Sequence, residues 1–169
     1  LRDVEVWSVP VKSGEDRLLY STVHDVTGRV QMEKALQESE RRYRHVFENA
    51  PIGIYQASLE GRFLRANPAA VRIFGYASEE EMIADIKDIA KQVYIHPDQR
   101  KGFLQEVLGY DGWIRGRYDF LRKDRTLMIV NLTVRAVRDD AGEALYLEGF
   151  IEDVTEQIQQ RQAFELEMS

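Results

Sequence analysis

Three histidines, no cysteine and several runs of carboxylates bound the chemistry that this sequence could perform. A metal centre needs three or four convergent ligands, usually drawn from Cys, His, Asp and Glu. Here His24 falls among β-formers, His45 in a Gly- and Pro-free segment, and His96 directly before Pro97, so no local spacing groups them and no metal is expected. His96 reads as the cap or solvent face of a helix start. Paired acids could serve general acid–base work, but Glu79-Glu80-Glu81 and Asp139-Asp140 stand at a predicted helix start and a predicted turn, where acidic residues are favoured for backbone reasons. No Gly-rich loop has phosphate-binding spacing, and no serine occupies a nucleophile elbow. The sequence is therefore not expected to be an enzyme by itself.

The chain of 169 residues is 44% hydrophobic and carries a net charge of −6. That is enough material for one ordinary core but not for two complete domains. Lack of cysteine excludes disulfides, a thiolate nucleophile, a cysteine–flavin adduct and cysteine-ligated metals, and it fits a reducing compartment such as the cytoplasm. The acidic balance argues against a nucleic-acid partner, since phosphate affinity comes from clustered Lys and Arg. The one basic run, Arg41-Arg42-Tyr43-Arg44, follows Glu38 and Glu40 and reads as a solvated helix face. No apolar stretch approaches the ~20 residues that cross a bilayer, so no direct membrane contact is expected of this piece, whatever anchors its parent protein.

These residues need elements to hold them. Val4 to Val9 alternates apolar and polar residues, Gly14 marks a turn, and Leu18 to Val26 is rich in β-formers, which predicts a hairpin. A Gly- and Pro-free segment follows to about Glu48, with Met32, Leu36, Tyr43 and Val46 at helical spacing on a charged background. So narrow a seam suits a partner helix; the alternative is a helix folded back on its own domain. Ile54–Ala57 and Arg62–Ala66 predict a second hairpin, and Asn67-Pro68, Ser78 with Glu81, and His96-Pro97-Asp98 open short helices. Strands are predicted at Trp113–Arg122, Leu127–Arg138 and Leu145–Asp153, then a Gln- and Glu-rich helix after Thr155. Antiparallel hairpins with helices grouped between them make an α+β fold, a five-stranded sheet with short helices on one face.

The two ends also repeat. Val6, Val9, Gly14, Glu15, Leu19, Asp25, Val26, Thr27, Gln31 and Ala35 recur at one constant offset as Val134, Val137, Gly142, Glu143, Leu147, Asp153, Val154, Thr155, Gln159 and Ala163. The period suits a whole domain plus connector, not a solenoid unit.

At this point the residues resemble a known family. Asn49-Ala50-Pro51-Ile52-Gly53-Ile54, Gly61-Arg62-Phe63-Leu64-Arg65-Ala66-Asn67-Pro68-Ala69, Ile73-Phe74-Gly75-Tyr76, His96-Pro97-Asp98, Arg122-Lys123-Asp124, Glu148-Gly149 and Asp153-Val154-Thr155 together resemble a PAS domain with its PAC segment, the sensory box. On that reading residues 1–28 are the carboxy-terminal hairpin of an upstream PAS domain, 29–48 a connector helix, 49–154 the PAS domain, and 155–169 the start of a signalling helix.

The resemblance implies a sensory or signal-relay module of a multidomain bacterial signalling protein, with adjacent PAS and output domains of histidine kinase or diguanylate cyclase type. His45 is followed by Val46 where a phosphoacceptor histidine has an acidic neighbour, so phosphorylation there is not expected. No cofactor is expected, because a flavin adduct lacks its cysteine and haem an axial histidine within the middle helix. A small-molecule ligand remains open, and Tyr55, Asn67, Tyr94, Tyr118 and Asn131 are the candidate pocket residues. A ligand-free dimerisation and spacer module is the other reading, with a homodimer through the connector helices in either case. The signal junction is expected at Asp153 and Thr155: Asp153 as N-cap of the last helix with Glu156 reaching back, and, from the resemblance, a basic partner at Arg122 or Lys123.

Overall fold

The computed structural model describes residues 1–168; residue 169, the last of the predicted signalling helix, lies outside them. The chain divides into a unit over Leu1–Val46 and a second from Phe47 onward.

In the first unit β1 (Val4–Ser13) pairs antiparallel with β2 (Asp16–Asp25) around a two-residue turn, where Gly14 takes φ +65°. Helix α1 (Thr27–Asn49) follows at once. Among the described residues β1 and β2 form a two-stranded sheet by themselves, and Val6, Trp7, Val9, Leu19, Tyr20 and Val23 are exposed. The repeat acquires a two-residue correction here. Val4 faces Asp25 as Val130 faces Asp153, so Val6 is equivalent to Leu132 and not to Val134. The later hairpin has the longer turn, Asp139–Glu143, and the constant offset holds only for its second strand and the junction beyond.

The second unit runs β3 (Gly53–Ala57), β4 (Phe63–Ala66), α2 (Pro68–Phe74), α3 (Glu79–Asp85), α4 (Ile89–Gln92), α5 (Asp98–Leu108), β5 (Ile114–Leu121), β6 (Leu127–Arg138), β7 (Ala144–Asp153) and α6 (Thr155–Glu167). The five strands form one antiparallel sheet in the order β4-β3-β7-β6-β5. Period-two alternation gives it an inner face: Met128, Val130, Leu132 and Val134 are buried on β6, with Leu147, Gly149 and Ile151 beside them on β7. Phe63, Phe74, Phe103 and Phe120 complete the core with the four short helices. The sequence predicted three of these; α4, a single turn capped by Asp88 Oδ1 on Lys91 N–H at 3.3 Å, is too short to show a period.

The short helices are held by their ends. Asn67 Oδ1 accepts from Ala70 N–H at 2.9 Å and Pro68 follows it, while Gly75 closes α2 at φ +81°. Ser78 Oγ accepts from Glu81 N–H at 3.1 Å, and Glu81 returns a carboxylate oxygen to Ala77 N–H at 2.8 Å. No described helix is long and apolar enough to cross a membrane.

Candidate functional site

A small cavity lies between the sheet and the helices of the second unit. It encloses about 30 Å³ and is walled by Phe63, Phe74, Phe103, Leu132, Leu147 and Ile151, with Tyr55, Tyr94 and Arg100 as its polar lining. That volume holds one or two waters.

Tyr55 comes from β3, where it faces Gly149 of β7 across the ladder. A Cβ at position 149 would stand 2.9 Å from Tyr55 Oη and from Val134 Cγ2, so glycine there makes room for the phenol. Tyr94 is fixed by backbone pairing outside the named strands: it bridges to Phe120, and Leu121 N–H donates to Val93 C=O at 2.8 Å. Its ring meets Phe120 at 4.6 Å. Burial pushes both phenols well above the ordinary tyrosine range; neighbouring phenols add to this at Tyr94, and the charge of Arg100 pulls back on both. Both therefore stay protonated hydrogen-bond donors at neutral pH.

The other candidate pocket residues lie elsewhere. Asn67 is fully buried, but its amide is committed to the fold: Oδ1 accepts from Ile54 and Ala70 N–H at 2.8 and 2.9 Å, and Nδ2 donates to Phe47 and Ile52 C=O at 3.0 and 3.1 Å. No donor or acceptor is left for a ligand. Asn131 sits on the outer face of the sheet, because its neighbours Val130 and Leu132 take the inner one, and it accepts from Arg117 Nε at 3.2 Å. Tyr118 is on the inner face but packs edge-on against Phe103 and Tyr94 instead of lining the cavity.

Among the described residues, Arg100, absent from the predicted set, is the one charged residue lining the cavity. Its signal was present in the sequence: Phe103, Leu104 and Val107 follow it at helical spacing, so position 100 shares the apolar face of α5.

The junction stands at the end of β7. Asp153 Oδ1 accepts from Thr155 N–H at 3.0 Å and from Thr155 Oγ1–H at 2.5 Å, and Oδ2 accepts from Arg122 Nη2 at 2.5 Å. Burial pushes the Asp153 carboxyl up, but the bonds from Thr155 and Arg122 outweigh it and hold the group below the usual carboxylate range. Two details differ from expectation. Val154, not Asp153, occupies the cap position, and Glu156 accepts from Gln160 instead of reaching back. Lys123 pairs with Glu81 and lies over the Tyr76 ring, so Arg122 alone meets Asp153. Thr155 Oγ1 also accepts from Ile129 N–H at 2.9 Å, pinning the start of α6 to β6. Among the described residues, no three His, Cys, Asp or Glu gather as a metal site.

Comparison with known proteins agrees with this architecture. Residues 41–108 match the PAS domain model. The chain is 29% identical over 129 residues to the sensor histidine kinase TmoS of Ectopseudomonas mendocina, covering 74% of this chain and 13% of that protein. It is 43% identical over 54 residues to sporulation kinase E of Bacillus subtilis, covering 32% of this chain and 7% of that one. The chain thus spans a small part of either relative. The crystal structure of the PAS domain of an HTR-like protein from Haloarcula marismortui superimposes with a TM-score of 0.58 at 21% identity, covering 73% of this chain and 98% of that one. The sheet order, the helices over its inner face and the matched segment lead to one identification: the chain carries a PAS domain similar to those of sensor histidine kinases.

Proposed function

We propose that this PAS domain senses a small molecule in its interior cavity and relays occupancy to a histidine-kinase output through the helix that begins at Thr155. The observation that carries this is the path of one strand. Leu147 and Ile151 of β7 line the cavity, and Asp153, two residues beyond Ile151, carries the junction that starts α6. A ligand that displaces β7 by a fraction of an ångström acts directly on the Asp153–Thr155 bonds and on the Val154 N–H to Ile129 C=O bond of 2.9 Å. Differential affinity for two arrangements of that corner is all the coupling requires. A kinase output, in preference to a diguanylate cyclase, is favoured by the two curated relatives, both sensor or sporulation kinases.

The test is to fill the cavity from within. Ala57, 2% exposed, lines it, and Ala57→Leu places a branched chain there. Hydrogen exchange should then change at the Val154 and Thr155 amides while α1 is untouched. Unchanged exchange at those amides in a folded variant would end the relay reading.

Homodimerisation through the connector helix belongs to the same proposal. Met32, Leu36 and Val46 are exposed on α1, and a second copy of that seam is the partner that would cover them.

A further inference from the structure

Among the described residues, none of Leu1–Val46 is buried. A ladder of two ten-residue strands and most of a 23-residue helix thus stand without a core of their own. An isolated hairpin is marginal in water, and apolar faces of this size mark interaction surfaces.

Register assigns each face of the hairpin. With Val4 opposite Asp25 as Val130 is opposite Asp153, Val4, Val6, Leu19 and Val23 take the places of Val130, Leu132, Leu147 and Ile151, the buried inner row of the second unit. A fold like the second unit's would cover that row and leave the outer one bare, and on the outer row the two hairpins differ. Arg135 pairs with Glu148 on the outer face of β6 and β7, whereas the first hairpin sets Val9 against Tyr20 at the equivalent positions. Trp7 stands where Thr133 does, and Leu18 where Tyr146 does. Trp7, Val9, Val11, Leu18 and Tyr20 are 46 to 69% exposed.

The row continues onto α1. Arg29, in the first turn of the helix, pairs with Glu5 at the end of the same outer row. Met32 and Leu36 follow Arg29 at i+3 and i+7, on the same side of the helix. By strand and helix dimensions the hairpin face and the seam each offer roughly 300 Å². Together they approach the ~800 Å² per partner of a standard interface, and neither does so alone. The centre of the row carries no charge, so copy meets copy across a two-fold axis without like-charge conflict. Trp and Tyr are also the side chains in which interface energy concentrates.

We propose that the outer face of β1 and β2 forms, with the α1 seam, the surface on which a second copy of this chain docks, with Trp7 and Tyr20 as its anchors. This rests on the reading of α1 as a dimer seam and adds the hairpin to it.

The test is sedimentation equilibrium of the whole chain and its variants. Val9→Arg with Tyr20→Glu installs the ion pair that β6 and β7 carry at the equivalent positions, so the ladder is kept while the row turns polar. It should weaken dimerisation by roughly tenfold or more. Leu19→Glu, on the inner row, should leave the dimer within about twofold of the parent. In a Trp113→Phe background, Trp7 emission should shift to the blue as the chain concentration rises through the dimerisation range. Dimerisation unchanged by the double variant, or Trp7 emission that stays fixed while the dimer forms, would overturn the proposal; if Leu36→Glu still dissociates that dimer, the α1 seam stands without the hairpin. Equal loss from Leu19→Glu would place the interface on the inner row and overturn it as well. A parent chain that stays monomeric at millimolar concentration would overturn both.

Discussion

Arg122 Nη2 stands 2.5 Å from Asp153 Oδ2, and each side chain is only 25% exposed. The pair ties the β5–β6 turn to the end of β7, on the carboxylate that also holds Thr155 at the start of α6. The hairpin of the first unit repeats this corner with one difference. Asp25 accepts from Thr27 N–H and Oγ1–H at 3.0 and 2.6 Å, and Thr27 Oγ1 accepts from Asp3 N–H as Thr155 Oγ1 does from Ile129. Its arginine, Arg2, lies 3.7 Å away and 82% exposed. The same corner is thus built twice, and it is locked by a partly buried ion pair only at α6.

Loss of that lock should be measurable. Arg122→Ala should lower the unfolding free energy by about 2 kcal/mol, since it strands a partly buried carboxylate. Urea denaturation reads this directly. An effect as small as that of an exposed pair would mean that the Thr155 bonds alone hold the corner.

The pH dependence follows from the same group. The folded Asp153 carboxyl lies below its unfolded value, so its contribution is fully present above about pH 4. It is lost as pH falls through the lower folded value. Asp153→Asn should therefore be less stable than the parent at neutral pH and should lose less on acidification. Parallel stability curves across the acid limb would contradict this assignment.

Asn67 should prove a fold residue. Asn67→Ala strands the Phe47 and Ile52 carbonyls and the Ile54 and Ala70 N–H groups, and should destabilise by about 3 kcal/mol. The Tyr55 and Tyr94 ring resonances, measured well below the melting temperature, should be nearly unchanged. Large shifts of both rings in the folded variant would return Asn67 to the site.

Gly149→Ala should act on the cavity from behind. The added methyl meets Tyr55 Oη and Val134 Cγ2 at 2.9 Å, an overpacking of about 1–3 kcal/mol. Displacement of Tyr55 should change its ring resonances by NMR. Unmoved Tyr55 signals would show that the strand, not the phenol, gives way.

Leu36→Glu should disrupt a dimer built on the α1 seam. Light scattering should show the parent chain at twice the monomer mass and the variant at the monomer mass. A parent that stays monomeric at millimolar concentration would remove the connector helix from the proposal.

The element order was largely legible because every element but α4 announces itself locally. Asn67-Pro68 and Ser78 with Glu81 cap their helices, and β6 runs over Leu127–Arg138, the bounds its sequence predicted. The α4 turn was not legible, being shorter than any period. The lining of the candidate site was legible in part. Tyr55 and Tyr94 line the cavity, but whether a polar side chain in a strand faces in or out depends on register, which set Asn131 on the outer face. Asn67 was misjudged because a buried amide serves the backbone as readily as a ligand. Arg100 was passed over because charge suggests solvent, although its spacing to Phe103 and Val107 places it inward.

The central claim, that occupancy of the interior reaches the α6 junction along β7, is tested most directly by comparing the backbone amide resonances of the parent chain with those of Ala57→Leu, which fills the cavity. The account predicts that Tyr55, Leu147 and Ile151, around the cavity, and Asp153, Val154 and Thr155, at the junction, all shift. Shifts confined to the cavity residues while the amides of residues 153–155 stay fixed would contradict it.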